Sequence, residues 1–338
     1  MNGEKIAVIG PSFFGYCDAI VCEYKAKGVD AFYINEFPSD SLFRKVLYRL
    51  GLTVFMEKDH IAHLKVILKK LKDENTTQIL IVSPNSCDSD FCEKLILIGY
   101  KVKVYMWDSI KNKPLGNGYI KKFKGVASFD MEDCAHYAIA YIPLFAEPEF
   151  FYSVKENQRL VDIAFVGTLH SNRIELIKSI KEFCGRRGLV FEFIGYYYSR
   201  LLFLFKFLAS GAHFFIFKKV TFNKFMKSDI GALYRQSKFV LDIHHHGQAG
   251  LTSRSYETLM SGSFLITTNI HALSLPLGLA DRCLYVSADA IHESIEALDI
   301  DFLTFQPSTL TASQVEFLST SRFVDQITAL PILEILND

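Results

Sequence analysis

Between Asp242 and Asn269 the chain reads DIHHHGQAGLTSRSYETLMSGSFLITTN. The apolar residues before it predict a strand ending near His244, then a loop containing Gly247 and Gly250, then a helix from about Thr252 or Ser253. Such a strand, loop and helix aim backbone N–H groups and the positive end of a helix dipole at one place, which suits a diphosphate. Arg254, in the first turn, can add a bidentate charge-assisted contact to phosphate. Glu257 lies three residues further along the same face and can accept hydrogen bonds from a ribose diol. The same spacing also suits a plain i, i+3 ion pair between the two, worth a few tenths of a kcal/mol. A second phosphate-facing pattern occurs upstream, where Val166-Gly167-Thr168 ends a predicted strand and Arg173 opens a helix. A glycine after a strand is also an ordinary tight turn.

His244, His245 and His246 suggest a metal, but consecutive residues at a strand end point to alternate faces and converge poorly on one ion. One imidazole near a leaving diphosphate or an acceptor, or a purely loop-shaping role, fits them better. Asp88-Ser89-Asp90 and Asp299-Ile300-Asp301 spell D-x-D, yet the first falls at a predicted helix start and the second in the C-terminal region. The expected chemistry is therefore metal-independent, and no cofactor is expected. For a base that deprotonates a hydroxyl, Asp108 is placed after a predicted strand; a turn or helix cap is its plain alternative. Asp18 falls within the first helix pattern.

These residues need a scaffold, and the pattern of apolar runs supplies one. Lys5–Gly10, Ala31–Asn35, Ile79–Ser83, Val102–Trp107, Val126–Phe129 and Ile139–Ile142 read as buried strands, separated by helical patterns such as His60–Lys72. The stretch from Pro143 to Arg159 breaks the pattern and reads as a linker. A second series follows, with strands at Asp162–Gly167, Val190–Gly195, Phe239–Ile243 and Phe264–Thr268 and helices from about Asn172 and Ser253. Alternating strands and helices predict an α/β protein of two Rossmann-like lobes facing a central cleft, divided as residues 1–150 and 151–338. Ligands should collect where Ser12, Asn85, Asp108 and Asp130 follow their strands.

The 338 residues exceed one ordinary domain, and with 50% hydrophobic residues each lobe can hold its own core. The formal net charge is zero, so no global field draws in nucleic acid, and none is expected as a partner. Seven scattered cysteines without a C-x-x-C pair point to core thiols and a cytosolic setting rather than disulfides or zinc. The polar N-terminus lacks signal-peptide character. An insertion at about 200–227 departs from the alternation: Leu201–Phe217 is nearly continuous apolar sequence, and its basic flank holds Lys218, Lys219, Lys224 and Lys227. It is short for a bilayer span of roughly 20 residues. A monotopic membrane patch and a buried helical hairpin both remain open readings.

The pair DIAFVGTLHSNR and QAGLTSRSYETLMSGSFLITTN resembles bacterial polysaccharide and lipopolysaccharide glycosyltransferases of the GT-B fold, including the CgeB-like group. The likeness extends to Met106-Trp107-Asp108-Ser109, and to Phe129-Asp130 with Tyr141-Ile142-Pro143-Leu144-Phe145. It implies that Arg173 and Arg254 contact a donor pyrophosphate and Glu257 the ribose. Gln248, Gly250, Leu251 and Thr252, with Gly167 and Thr168, would complete the donor site. One departure stands out: many retaining members carry two glutamates eight positions apart, and the position eight before Glu257 is Ala249. The resemblance implies transfer of a sugar from a nucleotide-diphosphate donor to a surface polysaccharide, O-antigen, capsule or lipid-linked glycan. It places the protein in the cytoplasm, with peripheral contact to the inner membrane through 200–227. A nicotinamide-dependent oxidoreductase is the other enzyme class, but Gly10-Pro11-Ser12-Phe13-Phe14-Gly15 does not supply G-x-G-x-x-G. A non-catalytic nucleotide-binding assembly subunit is the third.

Overall fold

In the computed structural model the described residues are 4–12, 15–37, 57–112, 115–152, 159–169, 173–197, 199–200, 203–204, 219–223, 226–244, 248–298, 301–302, 304–305 and 307–336. His245, His246, Asp299 and Ile300 lie outside them, as does most of the 200–227 insertion. Among the described residues no helix is long and apolar enough to cross a membrane. The chain forms two compact units. The first comprises Met1–Leu144, His246–Gly250 and Thr320–Asp338, and the second Phe145–His245 and Leu251–Ser319. Thus residues 145–150 belong with the second unit, while the C-terminal segment returns to the first.

The first unit contains β1 (Lys5–Gly10), α1 (Tyr16–Ala26), β2 (Asp30–Asn35), α2 (Glu57–Asp73), β3 (Gln78–Val82), α3 (Ser89–Ile98) and β4 (Lys101–Met106). It continues with α4 (Leu115–Lys122), β5 (Phe123–Lys124), β6 (Ala127–Ser128), α5 (Met131–Tyr137) and β7 (Ala140–Tyr141). Its parallel sheet runs β2-β1-β3-β4-β6-β7, and helices cover its apolar strands. Asp88, the predicted helix start, caps α3 by accepting from the Phe91 N–H at 2.8 Å.

In the second unit come β8 (Val161–Thr168), α6 (Arg173–Arg187), β9 (Phe191–Tyr196), β10 (Val220–Thr221), α7 (Lys227–Arg235), β11 (Ser237–Asp242), α8 (Ser253–Met260) and β12 (Phe264–Thr267). β13 (Cys283–Tyr285), α9 (Ile291–Glu296) and α10 (Ala312–Leu318) complete it. Its parallel sheet is ordered β10-β9-β8-β11-β12-β13. Phe165, Phe183, Phe193, Phe239 and Phe302 help fill the core beside it.

The last segment, α11 (Thr320–Ala329) and β14 (Glu334–Ile335), closes the first unit. Phe323 packs edge-on against Tyr105 with centroids 5.0 Å apart, and β14 pairs antiparallel with β5. Lys103, buried on β4, donates to the carbonyls of Ile327 and Thr328 at 3.2 and 2.5 Å, at the negative end of the helix dipole.

A corresponding buried cation secures the second unit. Lys238 on β11 meets Asp162 at 2.8 Å, both side chains under 10% exposed, and also donates to the Phe302 carbonyl. Asp162 in turn accepts from the Val190 N–H at 2.8 Å. Replacing Lys238 by Met leaves that carboxylate buried without its cation, so urea denaturation should show a loss of about 3–5 kcal/mol. Lys238→Met combined with Asp162→Leu should recover part of it.

Candidate functional site

The end of β11 organises the second unit. Asp242 is 1% exposed and follows five buried strand residues. Its Oδ1 accepts from Arg254 Nη1 at 2.8 Å, and its Oδ2 from the hydroxyls of Thr252 at 3.0 Å and Ser255 at 2.8 Å. Thr252 stands at the N-cap of α8, but its hydroxyl is turned to Asp242, and no side chain caps the helix. Burial pushes the Asp242 carboxyl up; the Arg254 charge and the three side-chain hydrogen bonds outweigh that and hold it below the usual carboxylate range. Burial opposes the Arg254 charge, yet Asp242, Tyr234 and Glu257 together raise its pKa above the ordinary value.

Arg254 therefore pairs with Asp242, a partner outside its own helix. Glu257 is buried one turn beyond, where its charge acts on both Arg254 and Tyr234. Tyr234 on α7 is fully enclosed. Beside it, Arg159 donates to the carbonyls of Tyr234, Ser237 and Ser261 and to the Ser263 hydroxyl, fastening α7, β11 and the turn after α8 together. His244 follows β11, and both its backbone N–H and its Nδ1 meet Thr268 Oγ1, at 3.1 and 2.8 Å.

β8 lies beside β11 with Phe165 level with Leu241, so Gly167 and Thr168 share the carboxyl edge of the sheet with Asp242. Gly167 pairs with Gly195 on β9. A Cβ on Gly195 would lie 2.5 Å from Leu169, so close packing of the chain after β8 requires a glycine there. Arg173 opens α6, as its position predicts; its side chain is outside the described residues.

The glycine loop divides. Leu251 is buried in the second unit, whereas Gln248, Ala249 and Gly250 pack with the first. There Asp130, 1% exposed, uses Oδ1 to cap α5 through the Glu132 and Asp133 N–H groups, and Oδ2 to accept from the Ala249 and Gly250 N–H groups at 2.9 and 3.2 Å. A Cβ on Gly250 would meet the Phe129 ring at 2.5 Å. Gln248 Nε2 is 3.5 Å from the Gly250 carbonyl.

Elsewhere in the first unit, Asp108 lies just after β4 and its Oδ2 accepts from the Ser83 hydroxyl at 2.6 Å. Ser83 is buried and adopts φ 46°, a left-handed conformation uncommon outside glycine, in the turn after β3. Glu36 supports the same edge, accepting from the Asn85 N–H and side-chain amide and from the Ser86 N–H at 2.7–2.8 Å. Tyr16 contacts Trp107 edge-on, with centroids 6.0 Å apart. Among the described residues no His, Cys, Asp and Glu side chains group as a metal site.

Sequence reasoning singled out Arg254 and Glu257 but missed Asp242 and Tyr234. Asp242 had a legible signal, a lone carboxylate closing an apolar strand ahead of Thr252, Arg254 and Ser255. Glu147, buried ahead of the short 3-10 helix Pro148–Phe150, reads as linker because its ion-pair partner Lys227 is remote in sequence.

Asp242→Asn keeps the shape but removes the charge that neutralises Arg254, and urea denaturation should show a loss of about 3 kcal/mol near neutrality. Because the folded carboxyl titrates below its unfolded value, its stabilisation is present above about pH 4 and fades as pH falls through the folded value. The acid limb of a stability profile should therefore be shallower in Asp242→Asn than in wild type.

No family model matches the sequence, and no curated protein matches it. Solved structures do. The Anabaena HepE protein in complex with UDP-glucose aligns with TM-score 0.61 at 12% identity, covering 96% of this chain and 98% of that one. UDP-GlcNAc 2-epimerase from Neisseria meningitidis, bound to UDP-GlcNAc, aligns with TM-score 0.57 at 8% identity over 96% and 98%. A glycosyltransferase from Rickettsia africae gives 0.56 at 14% identity over 96% and 97%. At these identities the likeness establishes the fold, and the chain has the α/β architecture of the GT-B type, with two parallel six-stranded sheets.

Proposed function

We propose that this protein is a nucleotide-sugar-dependent glycosyltransferase, moving a sugar from a nucleoside diphosphate to a surface polysaccharide or lipid-linked glycan at the cytoplasmic face of the inner membrane. The observation that carries this reading is the arrangement around Asp242. A helix start without a side-chain cap, a guanidinium in its first turn and a buried carboxylate in its second are held together at the carboxyl edge of a parallel sheet. Neighbours of the same fold bound to UDP-glucose and UDP-GlcNAc support it.

In this reading Glu257 accepts from the ribose hydroxyls, and Arg254 and Arg173 face the diphosphate with the first-turn N–H groups of α8. A guanidinium carries five N–H donors, so pairing with Asp242 is compatible with a phosphate contact. Gly167, Thr168, Gln248, Gly250, Leu251 and Thr252 shape the donor site. Leu251 and Thr252 flank the start of α8, while the Ala249 and Gly250 N–H groups first have to leave Asp130 to meet phosphate. Departure of the nucleotide is stabilised by these fixed charges without a metal. Asp108, oriented by Ser83, takes the proton from the acceptor hydroxyl.

The epimerases among the fold neighbours give a second reading, in which the nucleotide sugar is rearranged and not transferred. Calorimetry against UDP, GDP, CDP, dTDP and NADH, with assays of nucleotide release and of sugar configuration, separates the readings. We expect one nucleoside diphosphate to bind, and both Glu257→Gln and Arg254→Lys to weaken it by about tenfold, the loss of one charged hydrogen bond. Nucleotide release that requires a glycan acceptor is the expected activity. An altered sugar without acceptor establishes the epimerase reading, and binding of NADH alone overturns both.

A further inference from the structure

Asp130 carries a buried charge without a buried cation. It is 1% exposed, and among the described residues no lysine, arginine or histidine pairs with it. Backbone N–H groups meet it instead. Oδ1 accepts from Glu132 and Asp133 at 3.0 and 3.3 Å and so caps α5, while Oδ2 accepts from Ala249 and Gly250 at 2.9 and 3.2 Å. One oxygen serves the helix that follows; the other holds a loop 119 residues away. The docking is close: a Cβ on Gly250 would lie 2.5 Å from the Phe129 ring and 2.8 Å from the Phe129 carbonyl oxygen. Gly250 is not in the left-handed region, so it is contact with Phe129 that calls for a glycine there.

From Gly250 the chain runs through Leu251 into Thr252, the N-cap of α8, whose side chain does not cap the helix. A loop held by a carboxylate therefore leads directly into the helix start that the nucleotide reading assigns to a diphosphate. A diphosphate cannot join the loop where it is docked. Asp130, the buried Asp133 and Glu132 gather carboxylates at that place, and Asp130 and Asp133 already repel each other. For the Ala249 and Gly250 N–H groups to serve phosphate, one anion has to replace another.

We propose that Gln248–Gly250 is a latch: at rest Asp130 stands in for phosphate on the Ala249 and Gly250 N–H groups, and a nucleoside diphosphate binds by drawing the loop off that carboxylate. This assignment rests on the nucleotide-sugar reading above. Because Oδ2 is held by N–H dipoles and not by a cation, water can take their place when the loop leaves, and no partner charge is stranded. The latch also sets a threshold. A lone weak anion leaves the loop on Asp130, whereas a diphosphate anchored at the start of α8 competes for it.

Asp130→Asn and Asp130→Ser test this, since each keeps one oxygen able to cap α5 and neither offers the loop a second accepting oxygen. Hydrogen exchange over residues 248–251 of the unliganded proteins reads docking of the loop. Calorimetry with UDP, or whichever of GDP, CDP and dTDP wild type binds more tightly, reads its effect on affinity. Both variants should exchange faster than wild type and bind the nucleotide about tenfold more tightly, because one charged hydrogen bond is no longer surrendered on binding. The two replacements differ in size and polarity, so a folding defect in one leaves the other to decide. Faster exchange with unchanged or weaker nucleotide binding overturns the latch and marks Asp130 as a structural tether. Unchanged exchange overturns it too, because Asp130 is then not what holds the loop. Failure of wild type and both variants to bind any of the four nucleotides instead overturns the underlying nucleotide reading.

Discussion

A carboxylate at the end of a buried strand is an expensive group, and the second unit is arranged around meeting its demands. Asp242 ends β11 at 1% exposure, where an unpaired charge would be unfavourable by several kcal/mol. Among the described residues, the side-chain donors that answer it come from the loop and first turn that follow: Thr252, Arg254 and Ser255. That local closure fixes the angle at which the chain enters α8. It also turns the Thr252 hydroxyl away from capping, draws the Arg254 guanidinium inward and so sets the position of Glu257 one turn later. The site geometry is thus a consequence of one electrostatic requirement more than of helix propensity, since α8 is only eight residues long and starts without a side-chain cap.

The first unit uses the same device with a different donor set. Asp130 follows β6, caps α5 with one oxygen and holds the Ala249 and Gly250 N–H groups with the other. The glycine is required because the Phe129 ring occupies the space of a Cβ. A loop that reads as a uniform phosphate cradle is therefore heterogeneous. Two of its N–H groups already have an anion, and that anion is a side chain.

Much of the architecture was legible because parallel strands buried on both faces leave unbroken apolar runs. Ile79–Ser83 and Phe239–Ile243 predict β3 and β11 nearly residue for residue, and the helix expected from Ser253 begins there. The expected i, i+3 alternative for Arg254 and Glu257 captured their proximity along the helix but not the stronger partner at the strand end. Periodicity reports which face of an element is apolar; it carries no information on which polar group closes a loop in space. For the same reason Glu147 read as linker. Its acidic and aromatic neighbours resemble a solvated connection, and only the meeting of the 3-10 helix with α7 shows that Phe150 and Glu147 are interior. The C-terminal return was equally hidden, because the affinity of α11 for β4 depends on Lys103 and Tyr105 finding helix-end carbonyls and the Phe323 ring.

The resulting charge pattern bears on how a nucleotide sugar would be recognised. With zero net charge, the protein offers no long-range attraction for a diphosphate. Within the second unit, Arg254 and Lys227 are each already paired with a carboxylate. A phosphate arriving there competes with, or shares, an existing partner, so its net gain is smaller than a bare cation would give. A low local dielectric strengthens each hydrogen bond that a buried carboxylate accepts. The diphosphate would contribute most when its charge grows on departure of the sugar, the moment at which fixed helix and guanidinium charges become most favourable.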